Sequence, residues 1–173
     1  MRRLLAVLLL PILGCADGPT SSPALSPDGA APTEHRGVKH GKLLAVFNVQ
    51  LRPENEVRTP GSTFDATVES VAWGHAQIKI YAGNVLECKV QIHNPAGEAF
   101  TAGHIHIGGP TVVGGVVVGL HNSLPNITDE HIKLECGPLT DADVAAVLAN
   151  PSNFYINYHT TLDPVGAIRG QLP

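Results

Sequence analysis

The sequence predicts an all-β fold, an antiparallel Greek-key or immunoglobulin-like β-sandwich with one short helix near residues 141–149. Three observations predict it. From Leu43 onward apolar residues recur with a period of 2 rather than 3.6. The chain of 173 residues carries 18 glycines and 14 prolines, which favour many turns over long helices. The alternating segments are short and separated by turn signals, the pattern of a sandwich or barrel. The length suits one ordinary domain. Lys plus Arg is 11 against 15 for Asp plus Glu, a formal charge of −4, so nucleic acid is excluded as a partner: phosphate binding needs clustered cations. With 43% hydrophobic and 15% charged residues, the chain is not a disordered acidic polymer either.

The first element is an address. Arg2 and Arg3 precede an apolar run from Leu4 to Leu13. That run is too short for a helix crossing about 30 Å of hydrocarbon, and a charged region followed by a short apolar one is a secretory signal. It ends in Ile12-Leu13-Gly14-Cys15, which resembles the bacterial lipoprotein box. The resemblance implies cleavage before Cys15, lipidation of its sulfur and acylation of its amine, and several acyl chains together anchor stably. The alternative is an ordinary signal peptide with an incidental cysteine. Residues 1–14 are therefore read as a lipoprotein signal peptide and 15–41 as lipidated Cys15 with a flexible tether holding Pro19, Pro23, Pro27 and Pro32. This places the domain, residues 42–173, outside the cytoplasm on the cell membrane or outer membrane of a bacterium.

The strands follow in order. Leu43, Ala45, Phe47, Val49 and Leu51 form one apolar face; Phe64, Ala66 and Val68 form the next. Gly74, Ala76, Ile78 and Ile80 alternate with His75, Gln77, Lys79 and Tyr81, and Gly83-Asn84 marks a hairpin turn. Leu86, Cys88, Val90 and Ile92 form the apolar face of the returning strand, with His93 on its polar face. The Gly/Val stretch from Gly108 reads as a strand with flexible points, carrying Val112, Val113 and Val116 to Val118. Ile132, Leu134 and Cys136 alternate with His131, Lys133 and Glu135. Thr140 and Asp143 have the spacing of a capping box before Ala142 to Ala149, and Pro151 ends that helix. With Cys15 assigned to lipid, Cys88 and Cys136 remain as an even pair on apolar faces of an exported protein, which predicts a disulfide; two buried thiols are the alternative.

Polar residues collect in two places. His104 and His106 stand at i and i+2, on one face of a strand and about 6.5–7 Å apart along the backbone, close enough for two imidazoles to meet on one cation. Tyr155, Asn157 and His159 align in the same way, and Arg169 aligns with Gln171. These segments resemble the CHRD domain, the module of chordin and of many bacterial secreted proteins. The residues carrying the resemblance are Pro53-Glu54-Asn55-Glu56-Val57, His104-Ile105-His106-Ile107-Gly108 with the Gly/Val run to Leu120, Asn150-Pro151, Tyr155-Ile156-Asn157-Tyr158-His159-Thr160, and Gly166-Ala167-Ile168-Arg169-Gly170-Gln171-Leu172. They occur in the family's order over residues 43–173. Arg58-Thr59-Pro60 departs from the family's habit of placing proline directly after Asn-Glu-Val. The resemblance implies a sandwich fold and no established reaction.

Two functional expectations follow. In the first, the domain is a binding or structural module at the cell envelope, not an enzyme, with an unidentified protein or surface ligand as partner beside the membrane itself. Glu56, Asn157, Arg169 and Gln171 then form a polar network with the histidines, because unpaired buried polar groups cost about 1–3 kcal/mol each. In the second, His104, His106 and His159, with His121, bind copper or zinc, for which imidazole is a suitable ligand. The order of these histidines is similar to that of the copper ligands of Cu/Zn superoxide dismutase, which would imply dismutase-like redox chemistry. The spacing from His121 to His159 is shorter than in that family, and the zinc-loop Asp is missing. A hydrolase is excluded by inventory: there is no Gly-x-Ser-x-Gly elbow and no phosphate loop ending in Gly-Lys-Ser/Thr.

Overall fold

The computed structural model describes residues 40–58 and 68–173. The signal peptide, Cys15 and nearly all of the tether lie outside the described residues, as does most of the strand expected at Phe64–Val68. Within them the alternation of apolar and polar residues becomes two four-stranded antiparallel sheets. The first contains β1 (Leu43–Leu51), β2 (Trp73–Tyr81), β3 (Val85–His93) and β6 (His131–Thr140), in that spatial order. The second runs β5 (Val116–His121), β4 (Phe100–Ile107), β7 (Phe154–Thr160) and β8 (Ile168–Gln171). β3 pairs with β6 although the β4–β5 hairpin between them in sequence belongs to the other sheet, which is Greek-key connectivity. The fold is a β-sandwich, as the sequence predicts.

The faces sort as the period-2 pattern dictates. Phe47, Val49 and Leu51 of β1, Ala76, Ile78 and Ile80 of β2, and Leu86, Val90 and Ile92 of β3 are all buried. They meet Phe100, Ile105, Ile156, Tyr158 and Ile168 of the second sheet in one core. Between β2 and β3 the turn has positive φ at Gly83 (88°) and Asn84 (59°), the two residue types that tolerate it. Cys88 and Cys136 are direct cross-strand partners on β3 and β6 and are joined by a disulfide, with a Cα–Cα distance of 5.0 Å.

Two local expectations are corrected. The helix α1 spans only Val144–Ala149, and Thr140 is the last residue of β6 rather than its cap. The chain is turned instead by Asp141, whose carboxylate accepts the Asp143 N–H at 2.8 Å, so the capping box does not form. The Gly/Val run is a strand only from Val116; Val112 and Val113 are exposed in a loop. The physical reason lies in the second sheet, where side chains of β8 capture the carbonyls of this segment and hold it across the outer face.

Candidate functional site

β4 and β7 are neighbours in the second sheet. Their register sets His106 opposite Tyr155, His104 opposite Asn157 and Ala102 opposite His159. Ile105, Ile156 and Tyr158 fill the core, so the alternate residues His104, His106, Tyr155, Asn157 and His159 stand on the outer face. β8 continues the rows, with Gln171 opposite Tyr155 and Arg169 opposite Asn157.

Three imidazoles converge there. The His104 ring centroid lies 5.7 Å from that of His106 and 5.1 Å from that of His159, and His106 and His159 are 6.0 Å apart. One nitrogen from each ring lies within 4.8 Å of the other two. Hydrogen bonding settles which nitrogens these are. His106 Nδ1 is 2.9 Å from the Gly114 carbonyl and His159 Nδ1 is 3.0 Å from that of Pro164. A carbonyl only accepts, so each Nδ1 carries the hydrogen and each Nε2 of the neutral ring presents a lone pair. His106 Nε2 is buried and has no partner among the described residues. His104 Nδ1 is 3.1 Å from His159 Nε2 and must donate to it. At metal–nitrogen distances of about 2.0–2.1 Å, two nitrogens 3.1 Å apart subtend about 100° at an ion, an angle suited to tetrahedral coordination. An ion would take the position of the His104 hydrogen, and that ring would move its proton to Nε2, with the Asn122 side chain beside the ring.

The electrostatics favour the neutral, ligating form. Burial lowers the pKa of His104, His106 and His159, and neighbouring positive charge adds to it: His106 acts on His104, Arg169 on His106 and His104 on His159. His159 is brought down to about 4. At neutral pH the three rings are therefore uncharged, and only the movable His104 proton occupies one of these nitrogens.

The surrounding polar groups form the frame. Arg169 is only 2% exposed, and its guanidinium donates to the carbonyls of Gly109 at 2.8 Å and Val112 at 3.1 Å. Its Cζ lies 3.4 Å from the centre of the Tyr155 ring, and Tyr155 stacks on His106 at 5.0 Å and 10°. The Tyr155 hydroxyl accepts the Gly114 N–H at 3.1 Å, so the residue whose carbonyl orients His106 is itself held by the stack. Gln171 Nε2 lies within 2.9 Å of the carbonyls of Gly108, Ser152 and Phe154. On the other flank Asn157 Nδ2 reaches both Glu56 oxygens at 2.8 and 2.9 Å. Burial pushes the Glu56 carboxyl up to about 8 against the opposing pull of Arg169 and Arg58. A side chain at Gly166 (φ 146°) would run into Asn157 and Glu56, so that turn needs glycine.

The domain that presents this face can be placed among known proteins: the CHRD domain family model matches residues 47–172. The chain belongs to the CHRD domain family. No curated protein and no solved structure matches it. In this CHRD domain the two family segments that hold histidine, His104 to Gly108 and Tyr155 to Thr160, lie on the paired strands β4 and β7, and the last segment is β8.

His121 is not brought to the three-histidine group. Its Nδ1 is 2.9 Å from the hydroxyl of Tyr158, a core residue. Register shifts between β4 and β5 on both sides of His104 and Ile105 break the simple alternation that would have aimed it at the others. The sequence reading also missed the groups that orient the rings. The Gly114 and Pro164 carbonyls leave no side-chain signal. Asp163 lies between β7 and β8, and its carboxylate accepts from Arg58 at 2.7 Å and from the backbone N–H of Ser70 at 2.9 Å, fixing the turn that carries Pro164.

Proposed function

We propose that this CHRD domain is a metal-binding module of the bacterial cell envelope, anchored through lipid on Cys15, whose ligand is a copper or zinc ion held by His104, His106 and His159. One observation carries the reading: His106 and His159, each tied to a backbone carbonyl through Nδ1, present Nε2 lone pairs beside His104 Nδ1, whose proton can move to the other nitrogen of its ring. A ring nitrogen tied to a carbonyl behind the ligating one is the outer-shell arrangement of histidine metal sites. Imidazole suits both copper and zinc. His104 and His159 are half-buried, so a position on the ion remains open to solvent or to a partner's ligand.

Dismutase-like chemistry has less support. It would use His121 as a ligand and Arg169 to guide the anion, whereas His121 bonds Tyr158 and the Arg169 guanidinium is held by two carbonyls. The role we assign is binding, without a catalysed reaction.

The test is metal content by mass spectrometry after purification without chelator or histidine tag, followed by calorimetric titration with zinc and copper. About one tightly bound equivalent is expected, and that tight step is lost with His104→Ala and His106→Ala together and retained with His121→Ala. No metal as isolated and no uptake of either ion would overturn the reading. Mass analysis of the N-terminal peptide tests the anchor: an acylated Cys15 supports it, and an unmodified Cys15 removes it.

A further inference from the structure

A second group of histidines lies on the outer face of the first sheet, on the far side of the sandwich from His104. Trp73 of β2 is opposite His93 of β3, and His93 is opposite His131 of β6, so the three side chains form one row across three strands. The His93 and His131 rings stack at 5.2 Å with Nδ1 3.5 Å from Nδ1. Glu130, next to His131, has a carboxylate oxygen 3.9 Å from His131 Nε2. One ligand atom from each of His93, His131 and Glu130 lies within 4.8 Å of the other two. Trp73 is 5.2 Å from the His93 ring.

We propose that His93, His131 and Glu130 form a second, surface metal site for a divalent cation of the copper and zinc class. The donor set is two imidazoles and one carboxylate, which suits those ions and gives a net charge that a dication offsets. Two nitrogens 3.5 Å apart subtend about 115–120° at an ion with ordinary bond lengths, near tetrahedral. In the present stack the ring planes are 29° apart and one Nδ1 is aimed at the other, so the rings must turn to direct both at an ion. His131 and Glu130 have side chains 70% and 67% exposed, so rotation of their terminal torsions meets little resistance as the ion is taken up. Among the described residues no carbonyl preorganises this pair, so it binds more weakly than the His104 group. The assignment rests on its own geometry and holds whether or not the His104 group binds metal.

Trp73, the single tryptophan of the chain, is a reporter built into this site. The whole chain carrying His104→Ala and His106→Ala is titrated with copper(II) while tryptophan emission is followed. Expected is saturable quenching that ends near one equivalent and is reversed by excess zinc, which does not quench. Adding His93→Ala or His131→Ala should raise the copper concentration needed by about tenfold or more, the consequence of losing one nitrogen ligand. Both positions are on the outer face, and thermal melting of each variant, together with His131→Asn, separates ligand loss from unfolding. Quenching that grows linearly without saturating, or that survives both substitutions in folded protein, would overturn the proposal. So would quenching abolished only by His75→Ala, whose ring also touches Trp73.

Discussion

Arg169→Lys separates charge from geometry at the centre of the frame. The lysine keeps the positive charge that Glu56 faces, so the electrostatic surroundings of that carboxyl change little. What is lost is the fork. The guanidinium reaches two carbonyls of the 108–112 loop at once and lies flat on Tyr155; an ammonium reaches one of them as a point charge. A hydrogen bond from a charged donor contributes about 1.5–3 kcal/mol, and a desolvated cation–π contact about 2 kcal/mol, part of which lysine retains. The expected destabilisation is therefore about 2–4 kcal/mol, read as a lowered urea midpoint with an unchanged slope.

The same substitution has a functional arm. The loop that Arg169 holds contains Gly114, whose carbonyl fixes the tautomer of His106. Disturbing an outer-shell partner of a histidine ligand costs about 10–100-fold in metal affinity. Zinc titration of Arg169→Lys, under conditions where it remains folded, should show a loss in that range with stoichiometry unchanged. A variant within about 0.5 kcal/mol of the parent in stability would refute the claim that the fork holds the loop. A destabilised variant with unaltered zinc affinity would instead refute the link from Arg169 through Gly114 to His106.

Glu56→Gln should change the pH dependence of stability. The folded carboxyl titrates near 8 and the unfolded one near its ordinary value, so between those limits the folded chain holds the extra proton and the parent loses stability as pH rises. Glutamine removes that loss, and urea unfolding at pH 5 and pH 8.5 should find the variant gaining on the parent at the higher pH by an amount on the order of a few kcal/mol; a pH-independent difference contradicts the buried, proton-holding Glu56. Replacing Cys88 and Cys136 together by alanine opens a covalent loop with a sequence separation of 48, and chain entropy sets the cost at about 4 kcal/mol, measurable as a shift in the urea midpoint. Zinc stoichiometry at the His104 group should survive that change, because the disulfide joins β3 and β6 of the other sheet.

The strands were legible because each has one face in the core. The alternation of Gly74, Ala76, Ile78 and Ile80 with polar residues is a local property that packing against a second sheet converts directly into structure. The meeting of β4 with β7 was legible as far as residues two apart share a face, and this holds for His104 with His106 and for Asn157 with His159. Reading failed where a distant residue decides. The Gly/Val run has strand composition, yet Gly109 and Val112 are held in a loop by Arg169, 60 and 57 positions away in sequence. His121 failed for a related reason, since the register shifts beside it depend on how β5 meets β4. His93 and His131 read as polar-face residues of separate strands, and only the pairing of β3 with β6 makes them neighbours.

Why the outer face of the second sheet should carry imidazoles at all is a question about cost. A frame that only had to tie the loop and the last strand together has what it needs in Arg169, Gln171, Asn157 and Glu56. The three histidines add to that frame only the bonds from His106 to Gly114 and from His159 to Pro164 and the stack of His106 on Tyr155, and they burden it. Burial favours the neutral form of each, and the buried His106 Nε2 lacks a partner among the described residues, a desolvation cost of about 1–3 kcal/mol. Apolar side chains of similar size would pack against Tyr155 without that cost. Buried polar atoms without partners are expected at sites of function, and Asn157 Oδ1 and Gln171 Oε1 of the frame lack one too among the described residues, so what distinguishes His106 Nε2 is where it points. Here the violation has a direction, because the unsatisfied nitrogen points toward two others whose protons the structure has already placed elsewhere or can move. A cation offsets the cost of all three at once, and that is why the face is better explained as a metal site than as structural padding.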